Sequence, residues 1–307
     1  MTNTPLYGGI EGGGTKFACG IGPCAGEWLD EIRIPTGSPQ QTLPAVLDFF
    51  DAAQRRFGQV AAFGLASFGP VDLAPASATF GRILPTPKPG WSGADLPGAL
   101  RERFGRPVHV DTDVNAAALA EQQLGAGKGL RSVAYVTVGT GIGGGVAIAG
   151  RTVTGLMHPE MGHIRVMRHA MDPQFPGVCP FHGDCLEGLA NGPAILARWG
   201  KPLSELGPAH MANTVIADYL GQLAANIALM ISCERVVFGG GVVLDSMLLP
   251  RIRRSASQML KGYIPVLADD AAMERFIVPA ALGGRAGLSG AMLLAMGASP
   301  TAATQAT

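Results

Sequence analysis

SVAYVTVGTGIGGGVAIA, residues 132–149, decides the fold. An apolar, β-branched run at 132–138 breaks at Gly139-Thr140-Gly141-Ile142-Gly143-Gly144-Gly145 and resumes at 146–149. The pattern reads as strand, glycine-rich hairpin, strand. The same plan occurs earlier in the chain. A strand-like run from Leu6 breaks at Glu11-Gly12-Gly13-Gly14-Thr15-Lys16, and Phe17, Ala18 and Cys19 resume it. Glycine removes the side chains that keep backbone N–H groups away from phosphate oxygens, and Thr15 and Lys16 add a hydroxyl and a charge. The order is not that of a Walker A loop. One such turn is equally well a plain tight hairpin. Two of them suggest duplicated domains that face each other and offer N–H groups to one phosphate chain.

Working outward, a third strand, 235–238, ends in Gly239-Gly240-Gly241-Val242, which suits a flat purine and ribose passing close to the backbone. A fourth, 108–110, runs into Asp111-Thr112-Asp113-Val114-Asn115 and an alanine-rich helix, 116–123. An aspartate at such a junction is commonly a helix N-cap. It is otherwise a carboxylate able to act as a general base. The strand at 60–67 opens into Phe68-Gly69-Pro70-Val71-Asp72, a frequent ligand position in an α/β sheet, or else a simple turn. Helices are expected at 42–57, 95–104, 192–199, 214–233 and 247–260, and a last strand at 276–281. A small-residue helix at 286–296 can pack closely.

Residues 158–187 read HPEMGHIRVMRHAMDPQFPGVCPFHGDCLE. His163, Cys179, His182 and Cys185 supply two nitrogen and two sulfur donors, the ligand chemistry of a closed tetrahedral zinc site. Prolines and glycines make the loop irregular, so little but a metal is expected to hold it. A Cys179–Cys185 disulfide and two free thiols are the competing readings, and His158 is an alternative ligand. Glu160 and Glu187 flank the donors, and the loop is read as presenting carboxylates and an imidazole to a polar substrate.

Composition narrows the class. The 307 residues suit two domains. Lys+Arg and Asp+Glu both total 23, so no basic surplus points to nucleic acid or an anionic membrane. The 44 glycines fall in clusters rather than a repeat, as tight turns and close ligand approach require. The start, MTNTPLYGGI, has no basic, then apolar, signal pattern. The apolar helix at 214–233 carries Asp218, Gln222 and Asn226 as a polar stripe, which suits an amphipathic or interface helix better than a membrane span. A cytoplasmic protein is expected, with no membrane partner.

These motifs resemble one family across nearly the whole chain, from Gly8 to about Met296: the ROK group of repressors, open reading frames and kinases. The resemblance implies the two-domain, actin-like and hexokinase-like (ribonuclease H-like) α/β ATPase fold, with an active-site cleft between domains. The small domain would span 1–115, completed by a C-terminal helix, 286–307. The large domain, 116–285, would hold the zinc loop. Glu11 to Lys16 matches the first phosphate motif, with Glu11 where Asp is more usual. Residues 137–145 match the second, and Gly239-Gly240-Gly241 the adenosine motif. ATP would then contact Gly13, Gly14, Thr15, Lys16, Thr137, Gly139, Thr140, Gly141, Gly239, Gly240 and Gly241. Asp113 would be the general base, while Glu160, His163, Glu187, Thr112 and Gly69 would bind sugar. Mg2+ and Zn2+ are the implied metals, and a homodimer the implied assembly. Thr112-Asp113 in place of Asn-Asp, Ser67-Phe68-Gly69-Pro70, Thr86-Pro87-Lys88-Pro89-Gly90-Trp91 and the Cys-x2-His-x2-Cys spacing look like bacterial fructokinases. The implied reaction is phosphorylation of the 6-hydroxyl of fructose by ATP. Kinases for glucose, mannose or an N-acetylhexosamine, and a non-catalytic sugar-responsive regulator, are the alternatives.

Overall fold

The computed structural model describes residues 4–245 and 247–297. In chain order its elements are β1 (Leu6–Gly12), β2 (Lys16–Gly22), β3 (Asp30–Pro35), α1 (Pro39–Phe57), β4 (Val60–Ser67), α2 (Leu96–Phe104), β5 (Val108–Thr112), α3 (Asp113–Gln123), β6 (Ser132–Val138), β7 (Ile142–Ile148), β8 (Arg151–Thr152), α4 (Leu186–Ala190), α5 (Gly192–Trp199), α6 (Met211–Ile231), β9 (Arg235–Gly239), α7 (Gly241–Leu244), α8 (Leu249–Leu260), α9 (Asp270–Phe276), β10 (Ile277–Pro279) and α10 (Ala286–Ala295). Two five-stranded sheets form, ordered β3-β2-β1-β4-β5 and β10-β9-β6-β7-β8. The chain divides into two units.

The first unit comprises 1–123, 147–158 and 284–307. β1 and β2 form the antiparallel hairpin expected around the first glycine turn, with Gly12 opposite Phe17, and β4 and β5 continue the sheet in parallel. Phe17, Phe50, Phe63, Trp91 and Leu100 fill the core. The Phe17 and Trp91 rings stack at 5.3 Å, and Phe50 meets Phe63 edge-on at 5.0 Å. α1 starts at Pro39, three residues before the expected position, because proline suits the first helical turn and Gln41 Oε1 accepts the Ser38 N–H at 3.1 Å. α10 packs on α3, β1 and β4. A Cβ at Gly64 would lie 1.8 Å from the Ala291 carbonyl, so only glycine lets the helix approach β4 this closely. The tail beyond residue 297, part of the predicted C-terminal helix, lies outside the described residues.

The second unit comprises 124–146 and 159–283. β6, β9 and β10 run parallel, and α6 and α8 pack against each other. α6 has the length and apolarity of a membrane span, yet 67% of its most apolar window is buried within the protein. Two residues of its polar stripe anchor the loop at 158–187. Gln222 accepts from Met167 N at 2.8 Å, donates to Met167 O at 2.9 Å, and is itself bonded to Asp218, which accepts from Ser255 of α8. Four short elements were not foreseen: α4, α7, α9 and β8. None is long enough to show a period in the sequence.

Candidate functional site

The first glycine turn, in the first unit, is braced by its neighbours. Gly13 N bonds Lys16 O at 2.9 Å, the Thr36 hydroxyl donates to Gly13 O at 2.8 Å, and the Lys88 ammonium donates to Gly14 O. Gly14, Thr15 and Lys16 are exposed. Beside the turn, the Glu11 carboxyl lies against the first turn of α10, where a Cβ at Gly287 would come within 2.5 Å of it. Burial pushes its pKa up, opposed by the Lys16 charge and the Leu288 N–H. Its Oε2 is buried and is the one such atom without a hydrogen bond among the described residues. A buried carboxylate oxygen with no donor is the acceptor a cation or its bound water requires, so the residues fit the implied magnesium.

At the head of α3 the two readings of aspartate separate. The cap is Thr112: its Oγ1 accepts Asn115 N at 3.2 Å. Asp111 is buried and holds the turn, accepting Thr112 N at 2.7 Å and the Asn115 amide at 2.8 Å. Burial raises the Asp111 pKa, opposed first by its bond from Thr152 and then by that from Asn115. Asp113, half-buried at the first residue of the helix, is not the cap residue but also bonds the helix start, its Oδ1 accepting Val114 N at 2.9 Å. In the same unit the Phe68–Pro70 loop is joined to β1 by Phe68 N→Gly12 O at 2.7 Å. Buried His158 accepts Val71 N through Nε2 at 3.2 Å and lies beside Gly69. His158 thus fixes this loop and is outside the four-donor cluster, which removes it as an alternative metal ligand.

In the second unit, His163, Cys179, His182 and Cys185 place one donor atom each within 4.8 Å of one another. His163 Nδ1 lies 3.4 Å from Cys185 Sγ and 3.8 Å from Cys179 Sγ, and His182 Nδ1 lies 3.6 Å from Cys179 Sγ. Zinc–sulfur and zinc–nitrogen bonds of about 2.3 and 2.05 Å at a tetrahedral angle put sulfur and nitrogen about 3.6 Å apart. The donor set fits zinc, and Cys179 and Cys185 form no disulfide. Burial, then the neighbouring Cys179 thiol, pushes Cys185 up to about 11, so its thiol stays neutral until a cation enters. The second ring nitrogen of His163, Nε2, is 3.9 Å from Glu160.

The expectation that little but a metal holds this loop is corrected by a second anchor. Arg198 and Asp172, with side chains 6% and 7% exposed, pair at 2.5 Å. The Tyr219 hydroxyl donates to Asp172 at 2.8 Å, and Arg168 bonds Asp172 and Asp184. Arg198 also covers the Phe175 ring at 4.4 Å. Removing one member of a buried pair strands the other charge. Asp172→Asn is expected to lower unfolding stability by about 3 kcal/mol in urea titrations, with metal content unchanged.

The second glycine turn sits against the loop. Ile142 N donates to Glu187 at 2.9 Å, Gly192 N to Gly139 O at 2.7 Å, and Gly139 N to Gly141 O at 2.9 Å. Thr137 pairs with Gly239 across β6 and β9. Gly240 has φ 85°, and a Cβ there would lie 2.3 Å from Val138 O, so glycine is required where β9 turns into α7.

A model of the ROK family matches residues 7–298. The chain belongs to the ROK family. It is 46% identical to a fructokinase of Zymomonas mobilis, over 95% of this chain and 97% of that one. Among solved structures, a ROK hexokinase from Thermus thermophilus superposes with TM-score 0.77 at 30% identity, covering 95% and 98% of the two chains. A ROK family glucokinase from Streptomyces griseus, in complex with glucose and AMPPNP, gives TM-score 0.68 at 28% identity, covering 95% and 99%. The fold is that of ROK hexokinases. Within this ROK chain the four candidate metal donors come together, and each glycine turn is braced within its own unit. Sequence reasoning missed His158 as a loop anchor, and Asp172, Arg198 and Asn191. For Asn191 a signal existed: Asn-Gly-Pro reads as an N-cap followed by proline in the first helical turn.

Proposed function

We propose that this chain is an ATP-dependent fructokinase, a cytoplasmic homodimer that phosphorylates the 6-hydroxyl of D-fructose. The observation that carries the mechanism is the junction of β5 and α3. Thr112 performs the cap, Asp113 accepts Val114 N through Oδ1, and a carboxylate retains further acceptor sites for a sugar hydroxyl. A sugar hydroxyl is a weak nucleophile at neutral pH. Asp113 hydrogen-bonds it and accepts its proton at a carboxylate oxygen as the bond to phosphorus forms. Glu160, His163 and Glu187 hold other sugar hydroxyls, with Gly69 and Thr112 shaping the sugar's surroundings. Glu187 already accepts the Ile142 N–H, and a carboxylate retains further acceptor sites.

Phosphoryl transfer depends on positioning and charge neutralisation. Gly13, Gly14, Thr15 and Lys16, with Thr137, Gly139, Thr140 and Gly141, donate to the ATP phosphates, and Gly239, Gly240 and Gly241 border the adenosine. Glu11 would hold magnesium, which when bound neutralises phosphate charge. His163, Cys179, His182 and Cys185 would hold zinc, whose contribution is structural. The His163 ring would be held by that ligation, with Nδ1 on the side of the sulfurs and Nε2 on the side of Glu160, where it would meet the sugar.

Fructose rather than glucose is supported by the 46% identity to a fructokinase and by Thr112. Its hydroxyl is committed to the Asn115 N–H, so this position offers no amide to an aldohexose. The purified, metal-loaded protein is expected to release ADP with magnesium, ATP and fructose at least about tenfold faster per unit kcat/KM than with glucose, mannose or N-acetylglucosamine, one hydrogen bond's discrimination. Faster turnover of another hexose would keep the mechanism and replace the substrate. No sugar-dependent turnover in the folded, metal-loaded protein would instead leave a non-catalytic, sugar-responsive regulator, and neither reading calls for nucleic acid as a partner.

A further inference from the structure

Helix α4 is five residues long, and it joins three features. Cys185, the last of the four metal donors, is its N-cap residue, and Glu187 in its first turn accepts the Ile142 N–H. Asn191 closes it and at the same time caps α5. Asn191 is 6% exposed. Its Oδ1 accepts Ala194 N at 2.8 Å, and its Nδ2 donates to Thr140 O at 3.0 Å. Capping needs only the acceptor, and serine or aspartate serves as well. The donor arm is what asparagine adds, since its amide carries both functions on one short side chain.

That donor arm reaches the second glycine turn at a place with directional consequences. A trans peptide is planar, with its C=O and its N–H pointing in opposite directions. Holding Thr140 O toward the α4–α5 junction turns the Gly141 N–H away from it. Gly192 N holds Gly139 O at 2.7 Å and by the same geometry turns the Thr140 N–H away. Both N–H groups are thereby aimed to the side opposite the junction, before any ligand arrives.

We propose that Asn191 is a positioning residue for the nucleotide: it orients the N–H groups of the second glycine turn toward the ATP phosphates, and through α4 it ties that turn to the metal loop. The proposal rests on the kinase reading above. It makes the metal loop a support for nucleotide as well as for sugar, and it gives asparagine a task that no helix cap demands.

The test is calorimetric titration of the magnesium complex of a non-hydrolysable ATP analogue into metal-loaded wild type, Asn191→Ser and Asn191→Asp. Asn191→Asp keeps a capping oxygen and loses the donor to Thr140, whereas the serine hydroxyl can still donate and is the conservative control. Each is expected to melt within about 2 °C of wild type, because the cap is preserved. Asn191→Asp is expected to bind the analogue about fivefold to tenfold more weakly, the worth of one directed hydrogen bond. The KM for fructose at saturating ATP stays at the wild-type value. Nucleotide affinity equal to wild type in Asn191→Asp would overturn the proposal. So would affinity that falls only in proportion to folded protein lost. Absence of nucleotide binding by wild type would overturn the kinase reading itself, and the two failures are therefore distinct.

Discussion

Asp113→Asn is expected to reduce kcat with fructose by roughly a hundredfold to ten-thousandfold, the usual worth of a positioned general base. The melting temperature should stay within about 2 °C of wild type, since the helix cap belongs to Thr112 and survives the change. Asparagine matches aspartate in size and can still hydrogen-bond a sugar hydroxyl, so the KM for fructose should change little. What it cannot do is accept the hydroxyl proton as the bond to phosphorus forms. The loss should therefore appear in kcat and kcat/KM together, the pattern of an interaction made only in the transition state. Steady-state kinetics beside a thermal melt check this. A variant with near wild-type kcat would remove Asp113 as the base. A variant that loses several degrees of melting temperature would mean that its carboxylate, not the Thr112 hydroxyl, organises the start of α3.

What could be read in the sequence follows from how local each cause is. The two glycine turns, the β5–α3 junction and the four metal donors are set by residues close together along the chain, and each was legible. The two readings of Asp113 were both legible; that the Thr112 hydroxyl reaches Asn115 N while Asp113 accepts Val114 N was not. The residues that hold the site in place were not legible, because their partners are distant. Asn191 bonds Thr140 across 51 positions, Gln222 bonds Met167 across 55, and Asp172 bonds Tyr219 across 47. The polar stripe on α6 was visible as a stripe. Nothing near it in sequence could say that it faces inward and carries the metal loop rather than a partner. His158 misled for a related reason: it stands five residues before a metal donor, yet its ring is taken by Val71, 87 positions away.

Removing the metal is the other change with a large expected effect, and the second anchor decides its form. A ligand that binds only the folded state stabilises it by about 4 kcal/mol when present at a thousandfold above its Kd. For a unit of this size that is a fall of about 8–16 °C in melting temperature on complete chelation. Were metal the only thing holding residues 158–187, the whole segment would melt out and further unfolding would follow from a damaged core. The Asp172–Arg198–Tyr219 cluster and the Gln222 bonds to Met167 instead pin the segment at sites that carry no donor atom. Loss should then be confined to the donor end, around Cys179 to Cys185, and should be reversed by adding zinc back. Calorimetry with and without chelator, with metal content measured in each sample, tests the first part. Hydrogen exchange tests the second. Backbone amides near Cys179, Gly183 and Ile142 should lose protection in the metal-free protein, while those near Met167 and Asp172 keep it. Uniform loss across the segment would mean that the ion-pair cluster depends on the metal rather than standing beside it. A protein whose melting temperature does not move on chelation would show that the four donors hold no metal that matters to the fold.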